Sequence, residues 1–183
     1  MNMTNILGKL MGSGLNSQIG VKGKIAIVLE NREARTRRVI EARNIVTDAG
    51  DKHYAQRAAG ETPTDAFQTG RLVLSTTGNA PGKASIYSDL TGVVSGSLKA
   101  FDGTYPKTAD GDTDNTGAAI DSITYRTSYI TSEANAAGIT RLAITIASPV
   151  GGSPLLMYAT VTSFTKTSSD TLKVFVNHNF NGI

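Results

Sequence analysis

The stretch Leu155–Phe180, LLMYATVTSFTKTSSDTLKVFVNHNF, constrains the fold more than any other part of this chain. It holds two alternating runs around the polar break Lys166-Thr167-Ser168-Ser169-Asp170. In the second run Leu172, Val174, Val176 and Phe180 share one parity, and Lys173, Asn177 and Asn179 share the other. Successive side chains of a strand point to opposite faces. The spacing therefore predicts a β-hairpin with one face in a core and one in water.

The same period recurs upstream. Ile25, Ile27 and Leu29 alternate within Lys24–Glu30, Asn31-Arg32-Glu33 predicts a turn, and Thr36–Val46 returns as a second strand. Arg71–Ser75, Ser122–Ile130 and Ile139–Ala147 read as further strands, with Ser132-Glu133-Ala134-Asn135 as the break between the last two. Thr47-Asp48 predicts a helix start, with Thr as the cap and Asp at the positive end of the dipole. Tyr54, Ala55, Ala58 and Ala59 share one helix face, Gly50 weakens the first turn, and Gly60 ends the helix. Several strands at short spacing predict a mainly β protein: an antiparallel β-sandwich or jelly-roll-like barrel with one short helix.

The predicted organisation is an extended N-terminal arm over residues 1–22 and a single β-rich domain over residues 23–183. The arm's apolar residues, Ile6, Leu7 and Leu10 among them, are too sparse for a core of their own, and such an arm orders by lying on another surface. Residues 76–120 are the least regular, with turn signals at Asn79-Ala80-Pro81-Gly82 and Asp102-Gly103 and short β pieces expected around Ser85–Tyr87 and Val93–Phe101. A loop region of this length points to a surface insertion or an inter-subunit contact.

Composition narrows the chemistry. The 183 residues include no cysteine, which excludes disulfides and thiolate metal sites. The lack of Trp and the low aromatic content argue against a deep apolar ligand pocket. The net charge of +3 is uneven: residues 1–60 carry +5 and residues 61–183 carry −2. The first third is thus the part suited to an anionic partner. No basic start leads into an apolar run, and no segment approaches the ~20 apolar residues of a membrane span. The expectation is a soluble protein made in the cytoplasm, with no membrane partner.

Four constellations bear on chemistry. Gly78-Asn79-Ala80-Pro81-Gly82-Lys83 has three residues between its glycines rather than the four of a phosphate loop. Ala84 also follows the lysine where a magnesium-binding hydroxyl is needed, so this is a turn. Asp110, Asp112 and Asp114 alternate, with Asp121 eleven residues after the first, which matches calcium-loop spacing in part. Asn115 stands where the tight-turn glycine belongs and Asp121 where a glutamate does, so a solvated loop of Asx-turns is the favoured reading.

His53 and His178 lie on different elements without a carboxylate at triad or ligand spacing, and His178 has the inward parity of its strand. Both read as packed residues, and the chain reads as non-enzymatic and without a cofactor. Arg32, Arg35, Arg37, Arg38 and Arg43 form the one basic concentration. With no aromatic residue between positions 25 and 53 to stack on bases, nucleic acid is disfavoured, and a salt-bridging protein contact fits better.

Two of these segments carry a resemblance. Asn44-Ile45-Val46-Thr47-Asp48-Ala49-Gly50, after an N-terminal hairpin, resembles the "N-[IL]-V-T-x-x-G" approach to a helix in tailed-bacteriophage virion proteins. In those proteins a central β region follows. The chain then closes on a strand such as LLMYATVTSF and a segment like Lys166-Thr167-Ser168-Ser169-Asp170-Thr171-Leu172-Lys173-Val174. The similarity runs over most of residues 23–183, and it departs from the common pattern where the longer 76–120 region replaces a compact strand and loop.

The resemblance implies a β-rich, non-enzymatic homo-oligomer of the virion that contacts the major capsid protein or other virion proteins. The leading expectation is a capsid decoration (cement) protein held by its arm and basic first third. A tail, neck or baseplate component is the alternative within that class, and a receptor- or glycan-binding jelly-roll module lies outside it.

Overall fold

The computed structural model describes residues 21–180. Ile6, Leu7, Leu10 and the expected arm lie outside the described residues, apart from Val21 and Lys22. The described residues form nine strands: β1 (Lys22–Asn31), β2 (Thr36–Val46), β3 (Arg71–Ser75), β4 (Lys99–Ala100), β5 (Lys107–Thr108), β6 (Ser122–Tyr129), β7 (Ala136–Thr145), β8 (Leu155–Lys166) and β9 (Asp170–Asn179). One helix, α1 (Asp48–Ala58), follows β2. The fold is mainly β and antiparallel, as the alternation predicts. It is a single curled sheet in the order β4-β3-β7-β8-β2-β1-β9-β6-β5, a half-barrel.

The sheet has two halves that meet at β2. One half, β2-β1-β9-β6-β5, begins with the predicted hairpin, in unbroken register from Gly23↔Asn44 to Asn31↔Thr36. The other half is β4-β3-β7-β8. They join only where Ile45 pairs with Tyr158 and Val46 with Met157. The core lies between them: Ile25, Ile27, Tyr125, Leu172, Val174 and Val176 from the first half pack in one cluster with Leu72, Leu142, Ile144, Leu156, Val161 and Phe164 from the second. Each such fully buried aliphatic side chain contributes about 1.5–3 kcal/mol.

The predicted C-terminal hairpin is corrected. β8 pairs with β7 and β2, and β9 pairs with β1 and β6, so the two runs do not pair with each other. Residues 167–169 instead cross from one half to the other. The local cause is a polar knot. The Asp170 carboxylate accepts both the Thr167 N–H and its Oγ1 at 2.7 Å, turning the chain sharply out of the β8 plane. Both runs then bury their apolar parity in the same core from opposite sides. The break at residues 130–135 between β6 and β7 is a second crossing of the same kind, since those strands also have separate partners.

The expected water-facing side of β9 is also corrected. Phe175 is buried with Ala26 and Val28, and Asn177 is fully buried. Residues 76–120 are the reason, because they cover the outer faces of both halves. Leu90, Tyr87 and Leu98 pack over Val73, Ala143, Leu155 and Tyr158 on the β8 half. Residues 102–117 fold back over β1, β6 and β9. The β pieces expected in this region shrink to β4, a 3₁₀ turn at Tyr87–Asp89, and isolated bridges of Ser75 with Val93 and Ile86 with Pro154.

Helix α1 starts and stops as its sequence predicts. The Thr47 hydroxyl accepts the Gly50 N–H at 3.2 Å and itself donates to the Leu155 carbonyl. The chain leaves the helix through Gly60 at φ +74°, a conformation that favours glycine. The buried face differs from the expected alanine face: Gly50, His53 and Tyr54 are buried, whereas Ala55, Ala58 and Ala59 are exposed. Only the first half of the helix lies on the sheet.

Candidate partner-binding edge

Among the described residues, β2 presents an open edge. Its pairing with β1 is continuous from Thr36 to Asn44, but on its other side the ladder to β8 holds only Ile45 and Val46. The Thr47 N–H donates to the Leu156 carbonyl at 3.2 Å, which places the backbone groups of odd-numbered residues on the β8 side. Because the β1–β2 register has no bulge, the N–H and C=O of Arg37, Val39 and Glu41 point away from β1, and among the described residues no strand lies opposite them. This was not legible from alternation, which reports faces and not edges.

Four of the five predicted arginines frame this edge. Arg32 and Arg35 lie in the exposed loop between β1 and β2, Arg38 stands across from Leu29, and Arg43 stands across from Lys24. All are exposed, and among the described residues none of these four forms a salt bridge. Arg37 differs: it bonds Asp114 at 2.8 Å and approaches Glu30 at 3.7 Å. Glu41 is the acidic residue on the same strand, and its Oε1 accepts the Thr116 hydroxyl at 2.7 Å. Lys24, Arg43, Glu41 and Thr116 line a cleft of about 310 Å³ beside the edge.

The aspartate loop is tied to protein cations. Asp110 accepts Tyr105 Oη and Asn115 Nδ2 at 2.9 Å and faces Lys107 Nζ at 2.9 Å. Asp112 holds Arg126 at 2.8 Å, and Asp114 holds Arg37 and Lys173. Burial by itself would raise the Asp110 carboxyl, but the hydrogen bonds from Lys107, Asn115 and Tyr105 outweigh it and leave it below the usual range. The hydrogen bond from Lys173, with Arg37, lowers Asp114. The Asp121 main-chain carbonyl accepts the Phe180 N–H at 3.2 Å. Among the described residues no group of three or more His, Asp or Glu is placed to hold a metal ion. The loop's geometry is that of a clamp: Asn115 and Asn177 exchange two 2.8 Å amide hydrogen bonds, and Arg126 lies 4.4 Å above the Tyr105 ring while bonding Asp102 at 2.6 Å.

Both histidines are packed inside. His53 Nδ1 lies 3.2 Å from the Asp65 carbonyl and its Nε2 3.3 Å from Gln68 Nε2, so the neutral tautomer with the proton on Nδ1 satisfies both. His178 is fully buried between Tyr54 Oη, 2.5 Å from Nδ1, and the Asn44 amide, 2.7 Å from Nε2. Asn44 Oδ1 is a buried oxygen without a partner among the described residues. A half-turn of that amide sets Oδ1 on Nε2–H and gives the chain a single direction: Tyr125 O–H to Tyr54 Oη, Tyr54 O–H to Nδ1, Nε2–H to Asn44 Oδ1. Burial pushes the His178 pKa down to about 3. A closed, neutral chain of this kind positions strands and offers no group to a substrate.

In comparisons with known proteins, the chain matches no family model, no curated sequence and no solved structure.

Proposed function

We propose that this chain is a non-enzymatic structural component of a tailed-phage virion, and specifically a capsid decoration protein that binds the outer shell as a homo-oligomer. The reading is carried by the open β2 edge framed by Arg32, Arg35, Arg38 and Arg43, a surface built to meet another protein. The resembling segment Asn44–Gly50 supports it at the level of scaffold. Asn44 tethers His178, Ile45 and Val46 join the two halves, Thr47 caps α1, and Gly50 lies against β8. These residues mark the fold, while the neighbouring arginines supply the contact.

The test is the particle. Peptide mass spectrometry of purified heads and tails should find the chain on heads, in a copy number commensurate with capsomers, and cryo-electron microscopy should place it outside the shell. Recovery only from tails, at a few copies, would assign it to the tail, neck or baseplate. Absence from both fractions would overturn the virion reading.

A further inference from the structure

We propose that the edge of β2 left unpaired by the described strands receives an extended acidic segment of a partner protein as a further strand. This rests on the reading of the chain as a binding component and not on its place in a virion.

The first ground is the backbone. Arg37, Val39 and Glu41 each aim an N–H and a C=O away from β1, and β8 has left the ladder at Ile45. The flanking pairs from Asn31↔Thr36 to Gly23↔Asn44 hold β2 in unbroken register, so the template is already extended. Nine residues of strand at roughly 3.4 Å each give an edge of about 30 Å, room for a partner segment of about six to eight residues. Main-chain pairing of this sort supplies affinity, and side chains on either face supply selection.

The second ground is charge. Arg38 and Arg43 project from opposite faces of β2, and Arg32 and Arg35 close the hairpin end of the same edge. An added strand whose side chains alternate between the two faces meets a guanidinium on each. Carboxylates suit that arrangement because the planar fork pairs with them in two parallel hydrogen bonds. A second copy of this chain is a poorer occupant, since its β2 edge brings the same excess of arginine to the ribbon. A nucleic acid would use the arginines but would leave the outward N–H and C=O groups of three alternate residues unmatched, and no aromatic side chain stands on this edge to stack a base.

The experiment uses the full chain and a fluorescently labelled eight-residue peptide of alternating Glu and Val. Fluorescence anisotropy should show saturable binding at low salt. Affinity should fall at least tenfold for the Arg38→Glu/Arg43→Glu variant, whose two sites are exposed and whose fold is checked by its circular dichroism and melting curve. It should fall similarly for a peptide N-methylated at alternate residues, which keeps its charge but cannot pair with a strand. Amide exchange should slow at Val39 and Glu41 and not at Arg38 or Ile40. No binding, equal binding of a Lys/Val peptide, or indifference to N-methylation would each overturn the proposal. So would displacement of the peptide by a single-stranded oligonucleotide that also protects no β2 amide, or concentration-dependent dimerisation through β2. A chain found on no virion fraction that still binds the acidic peptide would sink the virion reading and leave this one standing.

Discussion

The Lys166 ammonium donates to Asn135 Oδ1 at 2.8 Å, and so joins the two segments that cross between the sheet halves. Its other acceptors are the carbonyls of Thr131 and Thr167 at 3.4 Å, which gives three acceptors for three protons. Lys166 is only 1% exposed. Asn135, Thr131 and Thr167 are themselves exposed, so water can replace the ammonium, and Lys166→Met should cost about 0.5–1.5 kcal/mol. Urea denaturation of Lys166→Met, Asn135→Ala and the double variant should show strong non-additivity. Purely additive losses would mean that the two crossings are held independently.

Acid should destabilise the protein before its carboxylates titrate. His178 has a folded pKa of about 3 against 6.5 for an unperturbed imidazole, so between those values the unfolded chain binds the proton and the folded chain does not. Its stabilising contribution is complete above pH 6.5 and declines as pH falls towards 3, by about 1.4 kcal/mol per pH unit in the middle of that window. His53 is lowered too, first by burial, and contributes in the same direction. Chemical denaturation from pH 7 to 4.5 should show this slope, and His178→Gln should flatten it. An unchanged slope in that variant would contradict the assignment.

Gly50 should not tolerate alanine, although alanine is the better helix former by about 1 kcal/mol. A Cβ at Gly50 would lie 2.2 Å from the Leu156 carbonyl oxygen and 2.8 Å from a Val46 methyl. Backbone of β8 cannot step aside as a flexible side chain could. Gly50→Ala should therefore cost about 1–3 kcal/mol net, read as a lowered melting temperature. A stabilised variant would show that α1 can lift off the sheet at no cost.

Calcium should not bind the aspartate loop. Asp110, Asp112 and Asp114 already face Lys107, Arg126, Arg37 and Lys173. Calcium and chelator should give the same melting temperature, and an upward shift with calcium would reopen the site. Asp102→Ala should loosen the same region, because Asp102 holds Arg126 and also accepts the Ser128 N–H and hydroxyl. Faster tryptic cleavage at Lys107 is the expected readout.

Strands were legible in this sequence because burial on one face writes a period of two, as at Ile25-Ile27-Leu29 and Leu172-Val174-Val176. The helix was legible through its cap at Thr47 and its stop at Gly60. Pairing was not. The run Lys166–Asp170 has the polar composition of a hairpin turn, and only the burial of Lys166 and the inward fold of Asp170 make it a crossing. The cover over Phe175 and Asn177 was equally hidden, since it comes from Asn115 and its neighbours some 60 positions away. Of the basic cluster, composition located all five arginines, but only the geometry separates Arg37, which is neutralised by Asp114, from the four that face outward.

The strand order has a consequence for how the chain is made. β1 emerges from the ribosome early and can pair with β2 at once, yet its other neighbour is β9, more than 130 positions downstream. Through most of synthesis, then, the nascent hairpin exposes one edge of β1 in addition to the edge of β2. Non-local pairing of this kind is slow. Interrupted translation before residue 170 should leave a chain with two sticky flanks, and only completion of β9 reduces them to one.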